Sequence, residues 1–267
     1  MGKTRYAFLT LPNYSLIAVA NALEVLRMAN RVAGHDAYEW PVASLDGRPV
    51  PASCGLELHP TVALDRIGKV EILFVCGGVN VREAVSGALL KALRRQAERR
   101  VGLGALCTGG YALARAGLLD HYRATIHWEN LPALREEFPR VQLNNQVFSI
   151  DRDRYTASGG TAPLDLMLNL IQLKHGPRIS QQVSEQFLLE RVRSDQDRQY
   201  VPLRAQVGSS HGTLIRVAQL MEENIEKPLS LERIAQGTGL SRRQIERLFR
   251  RHLGCVPKRY YLEMRLR

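Results

Sequence analysis

No stretch of this sequence approaches the roughly 20 apolar residues that a membrane-spanning helix needs. Cysteine is scarce. Cys54, Cys76, Cys107 and Cys255 are the only four, and no two stand in a C-x-x-C spacing. That excludes a disulfide framework and a zinc site, so the expected thiols are free and the expected compartment is a reducing cytoplasm. No metal and no other cofactor is expected. A secretion signal is lacking too: the basic start Met1–Arg5 is followed only by Ala7–Leu11 before Pro12-Asn13 breaks the run. Tyr6 stands where a myristoylation signal needs Ser or Thr. Acidic residues are in deficit, 26 against 37 basic ones, for a net charge of +11.

What is present suits globular folding. Hydrophobic residues make up 45% of the chain and charged ones 24%, and 267 residues are enough for two domains of ordinary size. The basic excess is uneven. Residues 1–200 hold 24 Lys and Arg against 20 Asp and Glu, whereas residues 241–267 hold 9 against 2. A solvated face is the bland reading of such a tail, and nucleic acid is the sharper one.

Strands and helices alternate in the first part. Residues 5–11 read as a strand and Ser15 to Ala33 as a helix with apolar residues at helical spacing, ended by Gly34. Tyr38–Ala43 reads as one strand, and Glu71–Cys76 and Val101–Cys107 as strands buried on both faces. Helices follow at about Leu89–Arg99 and Gly109–Ala116. Gln146–Ile150 and Arg154–Ser158 form a hairpin, and Thr161–Lys174 and Ile179–Leu189 are helices. The fold class expected is α/β, a parallel sheet sandwiched by helices, followed by an all-α module. The expected domains are 1–190 and 212–267, with Arg191 to His211, polar and without periodicity, as a linker.

The tail carries a specific pattern. Thr213–Ile225 is amphipathic and Pro228 closes it. Ser230 caps Leu231–Thr238, Gly239-Leu240 makes a tight turn, and Ser241 with Gln244 forms a capping box for the next helix, which Gly254 ends. Helix, short turn, helix is the helix-turn-helix arrangement. Leu231, Ile234, Ala235, Leu240, Ile245, Leu248 and Phe249 form the inner face. Ser241, Arg242, Arg243, Gln244, Glu246, Arg247, Arg250 and Arg251 lie at the start or on the outer face, where long polar side chains reach base edges or phosphates. Leu229–Ala235, Gly239–Phe249, Gly254–Pro257 and Tyr260-Tyr261 together resemble the first half of an AraC-type DNA-binding domain. The resemblance places base reading on Arg243, Glu246 and Arg247. It also implies a second such motif after a joining helix. The sequence ends at Arg267, inside that helix, so a truncated domain is expected.

In the first part, Cys107 ends a buried strand and opens a helix among Thr108, Gly109 and Gly110, as in a nucleophile elbow. Helix-start amides would favour its thiolate, and His127 is a candidate neighbour. A buried small hydrophobe is the alternative reading of Cys107, and a satisfied structural histidine that of His127. With Cys76-Gly77-Gly78, Ala114–Leu119, Arg123–Trp128 and Ser158–Pro163, the stretch over residues 4–190 resembles the DJ-1/PfpI, or class I glutamine-amidotransferase-like, superfamily, which is flavodoxin-like in fold. Joined to an AraC-type module, it resembles bacterial regulators of glycine betaine and carnitine catabolism. Leu26–Asn30, Ser44–Arg48, Val75–Val79 and Gly160–Asp165 carry that narrower likeness.

Thiol members of the superfamily place a Glu on the first helix against the cysteine. That place falls near Ala18 here, and Glu24 lies about two turns further on. The resemblance therefore implies a retired catalytic pocket that senses a metabolite, an amine or amino-acid-like effector. Tyr14, Gly77, Gly78, Cys107, Thr108, Tyr111, His127 and Trp128 are its expected lining. Trp40 is a weaker aromatic candidate, and Glu129 is a source of negative charge. A quaternary ammonium is held by aromatic faces, at about 0.5–2 kcal/mol each. The expected protein is a non-enzymatic transcription activator in the cytoplasm, partnered by DNA, a small effector and a second copy, with RNA polymerase allowed and no membrane. The alternative is a thiol hydrolase or glyoxalase using Cys107 and His127.

Overall fold

Alternation builds the sheet of the first part. In β1 (Thr4–Thr10), Tyr6 and Phe8 enter one core while Ala7 and Leu9 enter another. In β5 (Ile72–Cys76), Ile72, Phe74 and Cys76 share the first core, and Leu73 and Val75 the second. A strand apolar on both faces has to lie inside a sheet covered on both sides. Residues 2–59, 61–201 and 212–266 are described in this computed structural model, and the chain divides into two units, Met1–Gln199 and Tyr200–Arg267. Among the described residues, no helix is long and apolar enough to cross a membrane.

The main sheet of the first unit has the order β4-β3-β1-β5-β6-β10-β9, with β2 adding to β1. Its other strands are β2 (Tyr38–Glu39), β3 (Val42–Ser44), β4 (Val62–Ala63), β6 (Gly102–Leu106), β9 (Phe148–Asp151) and β10 (Arg154–Ala157). All neighbours are parallel except β9 and β10, which form the expected hairpin. A separate pair joins β7 (Arg123–Ala124) to β8 (Gln142–Leu143). Helices α1 (Leu16–Ala33), α6 (Ala162–His175) and α7 (Pro177–Gln186) pack together on one side, where α1 and α6 supply most of the helical core. Helices α3 (Gly87–Glu98), α4 (Gly110–Arg115) and α5 (Leu131–Glu137) bury Leu89, Leu93, Leu113 and Leu134 on the other; α2 (Val81–Ala84) is one short turn. Phe8 and Phe74 stack at 5.4 Å, and Phe74 lies across Gly104, where an added Cβ would meet its ring at 2.1 Å. Only glycine lets those two strands and that ring coexist.

Two expectations need correction. Tyr38–Ala43 is not one strand. It splits into β2 and β3 around Trp40-Pro41, because Pro41 has no amide to give to the ladder and only its carbonyl is used, accepting from Phe8. Residues 191–199 are not a free linker. Asp165 accepts from the Arg193 amide and the Asn145 carbonyl from the Gln199 amide, which fastens the segment to the first unit. The rest of the expected linker, 202–211, lies outside the described residues.

Among its described residues the second unit has four helices, α8 (Gly212–Glu222), α9 (Leu231–Thr238), α10 (Arg242–Leu253) and α11 (Pro257–Arg265). The first ends at Glu222, a turn earlier than the periodicity predicts. Ser230 accepts from the Arg233 amide and Gly239 takes a left-handed φ of 68°, which turns α9 into α10 with no Cβ strain. Ser241 and Gln244 close a reciprocal capping box. Leu214, Val217, Met221, Ile234, Ile245, Phe249 and Tyr261 form the unit's own core. The Tyr261 hydroxyl donates to the Asn224 carbonyl at 2.7 Å and accepts from the Leu229 amide at 3.2 Å, tying α11 to the loop before α9.

Candidate functional site

β6 delivers Cys107 to the top of the sheet. The residue takes a positive φ of 57°, a conformation that side chains other than glycine's rarely adopt and that marks a sharp turn under constraint. One 3-10 turn, Cys107–Gly109, precedes α4. The turn interlocks with the loop after β5. Gly77 donates to the Leu106 carbonyl at 3.2 Å, Thr108 Oγ1 donates to the Gly78 carbonyl at 2.7 Å, and Ser15 donates its amide to the Gly77 carbonyl at 3.0 Å. A Cβ on Gly109 would lie 2.0 Å from the Val75 carbonyl oxygen, so the two glycine loops close only because both lack side chains.

Around this turn the structure assembles Gly77, Gly78, Cys107, Thr108 and His127. The His127 amide donates to the Cys107 carbonyl at 3.4 Å, and the Cys107 amide donates to the Ser158 carbonyl at 3.1 Å. The His127 ring abuts Gly159, where a Cβ would meet Cδ2 at 2.3 Å. Trp128 is half-buried beside it, ring centroids 5.4 Å apart, and Glu129 reaches to 3.7 Å from Nδ1. Tyr14 joins through its backbone, bridging to Gly78 and Ala52. Its ring is fully buried in the α1 core, and its hydroxyl has no hydrogen-bond partner among the described residues. Burial pushes that hydroxyl up to about 12.

Tyr111 does not line the site. Its ring packs edge-on against Phe138 in the opposite core, and its hydroxyl donates to Glu137 Oε1 at 3.0 Å. The turn at Cys107 sends the thiol to one side of the sheet while α4 buries Tyr111 on the other. Trp40 packs at the edge of the α1 core. The residue missed in the sequence is Ser15, whose side chain pulls against the upward shift of the Cys107 thiol. Ser15 was legible only as a helix start, and its side chain makes no capping bond.

The electrostatics contradict the expected thiolate. Burial pushes the Cys107 thiol up to about 11, Glu129 adds to that, and the Thr108 amide and Ser15 hydroxyl only partly oppose it. Burial also pushes His127 down, against the pull of Glu129. Both shifts favour the neutral forms over a thiolate–imidazolium pair. A carboxylate on α1 does not intervene: Ala18 is buried, and Glu24, the helix's one acid, is half-exposed and pairs with Arg27 at 2.7 Å. Iodoacetamide should therefore modify Cys107 about a hundredfold more slowly than an ordinary thiol near pH 7.5, the rate climbing until about pH 11. Peptide mapping by mass spectrometry, with the exposed Cys54 as internal reference, checks this. Equal rates at Cys54 and Cys107 would contradict it.

The second unit presents a separate candidate surface. Arg243, Arg247, Arg250 and Arg251 surround Glu246 over a shallow depression of 470 Å³ on α10. Their spacing places Arg243, Arg247 and Arg250 along one exposed face, opposite the buried Ile245 and Phe249. Two residues of the expected outer face are otherwise engaged. Arg242 pairs with Glu232 of α9, and the Gln244 side chain accepts from the Ser241 amide and hydroxyl.

The sequence pattern of the DJ-1/PfpI family matches residues 5–173. The chain belongs to the DJ-1/PfpI family. Relatives extend the likeness past that domain. The HTH-type transcriptional regulator GbdR of Pseudomonas aeruginosa is 48% identical over 97% of this chain and 71% of its own length. The HTH-type transcriptional regulator CdhR of the same species is 44% identical over 97% of this chain and 77% of its own. The family also includes enzymes: the isonitrile hydratase of Pseudomonas putida is 30% identical over 62% of this chain and 69% of its own. Among solved structures, an AraC family transcriptional regulator from Pseudomonas putida superposes with a TM-score of 0.62 at 31% identity, covering 69% of this chain and 99% of that one.

Proposed function

We propose that this chain is a DNA-binding transcriptional regulator, its first 190 residues sensing a small metabolite and residues 212–267 engaging DNA. The observation that carries the reading is the α10 face, where Arg243, Arg247 and Arg250 stand exposed on a capped helix that comes after a tight turn. Such a helix fits the major groove, and the guanidinium fork matches guanine. The regulators among its relatives support the same reading.

The sensing site is not catalytic in this reading. A thiol titrating near 11 beside a neutral imidazole is a poor nucleophile at neutral pH. The effector we infer is an amine of the glycine betaine or carnitine kind. The Trp128 ring and the Glu129 carboxylate, side by side next to His127, supply an aromatic face and a negative charge for an ammonium that cannot donate hydrogen bonds. Proton NMR of glycine betaine, dimethylglycine, carnitine, choline and arginine with the purified chain tests this. Broadening of one signal at constant intensity is expected.

A second reading, a thiol hydrolase or glyoxalase using Cys107 and His127, is favoured by the convergence of those residues with Glu129. It predicts steady loss of one signal with a new product, abolished by Cys107→Ala. The sensing reading fails if that is what the spectra contain.

A further inference from the structure

We propose that residues Arg191–Gln199 form a strap whose docking on the first unit is coupled to the occupancy of the Cys107–His127 site, making this segment the element that reports the site to the chain beyond it. The inference rests on the metabolite-sensing function and assigns it a mechanism.

The chain reverses after α7 at Leu188, which takes a left-handed φ of 52° and is 90% exposed. An exposed leucine in that conformation gains nothing from burial; the turn caps the end of α7, where the Leu188 amide donates to the Glu185 carbonyl at 3.1 Å and the Leu189 amide to the Ser184 carbonyl at 3.5 Å, and Arg193 fastens the chain five residues on. The Arg193 amide donates to Asp165 Oδ1 at 2.8 Å, its Nε and Nη2 donate to Oδ2 at 2.9 and 2.6 Å, and Nη2 also donates to Thr161 Oγ1 at 2.7 Å. Asp165 is 3% exposed on the first turn of α6. A carboxylate so buried needs this clamp.

The far end is held as specifically. Asp197 gathers Arg191 and the Ser194 amide and hydroxyl, which pulls its carboxyl well below the usual range and folds the segment on itself. The Val147 amide donates to the Asp197 carbonyl at 2.9 Å, and the Gln199 amide to the Asn145 carbonyl at 2.8 Å. The Gln199 side-chain amide then reaches Thr125 Oγ1 and the Ile126 carbonyl, both at 2.9 Å, and the Gln146 carbonyl at 3.2 Å.

The two anchors meet the two walls that hold His127. Ile126 is the residue before it. Thr161 comes directly after Gly159-Gly160, and Gly159 is the surface on which the imidazole lies. A ligand that shifts the His127 ring or the loop that carries it therefore disturbs both ends of the strap together. The first unit ends at Gln199, where the strap ends.

The docking is also poised. Arg191, Val192, Ser194, Asp195, Gln196 and Arg198 are exposed, so the strap is held by polar contacts with little apolar burial. Away from the Arg193–Asp165 clamp, water replaces such contacts at small net cost, and a segment of that kind opens locally more readily than a core element. A ligand shifts such a balance by its differential affinity for the docked and released forms.

The test compares wild type with Gln199→Ala by amide hydrogen exchange and mass spectrometry of residues 191–199, with and without saturating glycine betaine or carnitine, whichever broadens in the NMR panel. Gln199→Ala should raise strap exchange about three- to tenfold without amine. The bound amine should change strap exchange in wild type and leave it fast in Gln199→Ala, which still binds the amine. The proposal is overturned if strap exchange in Gln199→Ala equals wild type, or if an amine seen to bind leaves wild-type exchange unaltered. If no amine in the panel binds, the sensing reading itself falls and the coupling with it, while the Gln199→Ala comparison still reports whether the strap is docked through Gln199.

Discussion

Phe249→Ala unfolds the second unit and leaves the first intact. Phe249 is fully buried, meets Tyr260 edge-on at 5.3 Å, and sits in a core made by Leu214, Val217, Ile234, Ile245 and Tyr261. Removing a buried phenyl ring costs about 3–5 kcal/mol in lost transfer energy and cavity. A unit no larger than Tyr200–Arg267 has about 3–10 kcal/mol in total, at roughly 0.05–0.15 kcal/mol per residue. The loss is therefore comparable to everything that holds it together. The first unit has two cores of its own and shares none of these side chains. Calorimetry should retain the transition of the first unit, with the helical signal of α8–α11 lost at about 25 °C by circular dichroism. Phe249→Leu should keep the unit folded at reduced stability, because most of the volume is preserved. A Phe249→Ala protein with an unchanged thermogram would contradict this packing.

Replacing Arg243 and Arg247 together by Ala should nearly abolish specific DNA binding without unfolding anything. Each exposed arginine that reads guanine contributes about 1–3 kcal/mol, so the pair accounts for about thirtyfold to twenty-thousandfold in affinity. Arg242→Ala should cost less, because its guanidinium is already turned toward Glu232. Gln244→Ala should act through the helix, by about 1 kcal/mol of lost capping, because its oxygen accepts from Ser241. Fluorescence anisotropy on a duplex that the wild-type chain selects from a random pool, run across a salt series, separates these effects. Loss of sequence preference marks base reading, and a uniform loss with a shallower salt slope marks phosphate contact. Undiminished affinity in the double variant would exclude α10 as the reading helix.

Much of the second unit was legible because it is local. Ser241 with Gln244, and Gly239 and Gly254 at left-handed positions, are decided within four residues, and the structure reproduces each. The double-sided strands β5 and β6 were legible because Ile72–Cys76 has no polar face to turn outward. Tyr111 was misplaced for the opposite reason. It lies only four residues beyond Cys107, but a 3-10 turn and a positive φ stand between them, and which side of the sheet each faces depends on how α4 packs. Arg193 and Gln199 looked like linker because nothing nearby in sequence calls for them. Their partners, Asp165 and Ile126, lie 28 and 73 positions away.

The sequence by itself determined the alternation of strands and helices, the elbow at Cys107, the capped helix pair and the basic face of α10, since each arises from side-chain period, capping chemistry or charge along neighbouring residues. The tertiary structure alone decided the state of the thiol. Helix-start amides argue for a thiolate, but α4 spans only Gly110–Arg115 and Cys107 is 8% exposed, so desolvation outweighs the dipole and keeps the sulfur protonated. It alone decided, too, that the chain leaving the first unit is fastened to both walls of His127. Burial and long-range hydrogen bonds depend on what the fold brings near, and no local pattern encodes that.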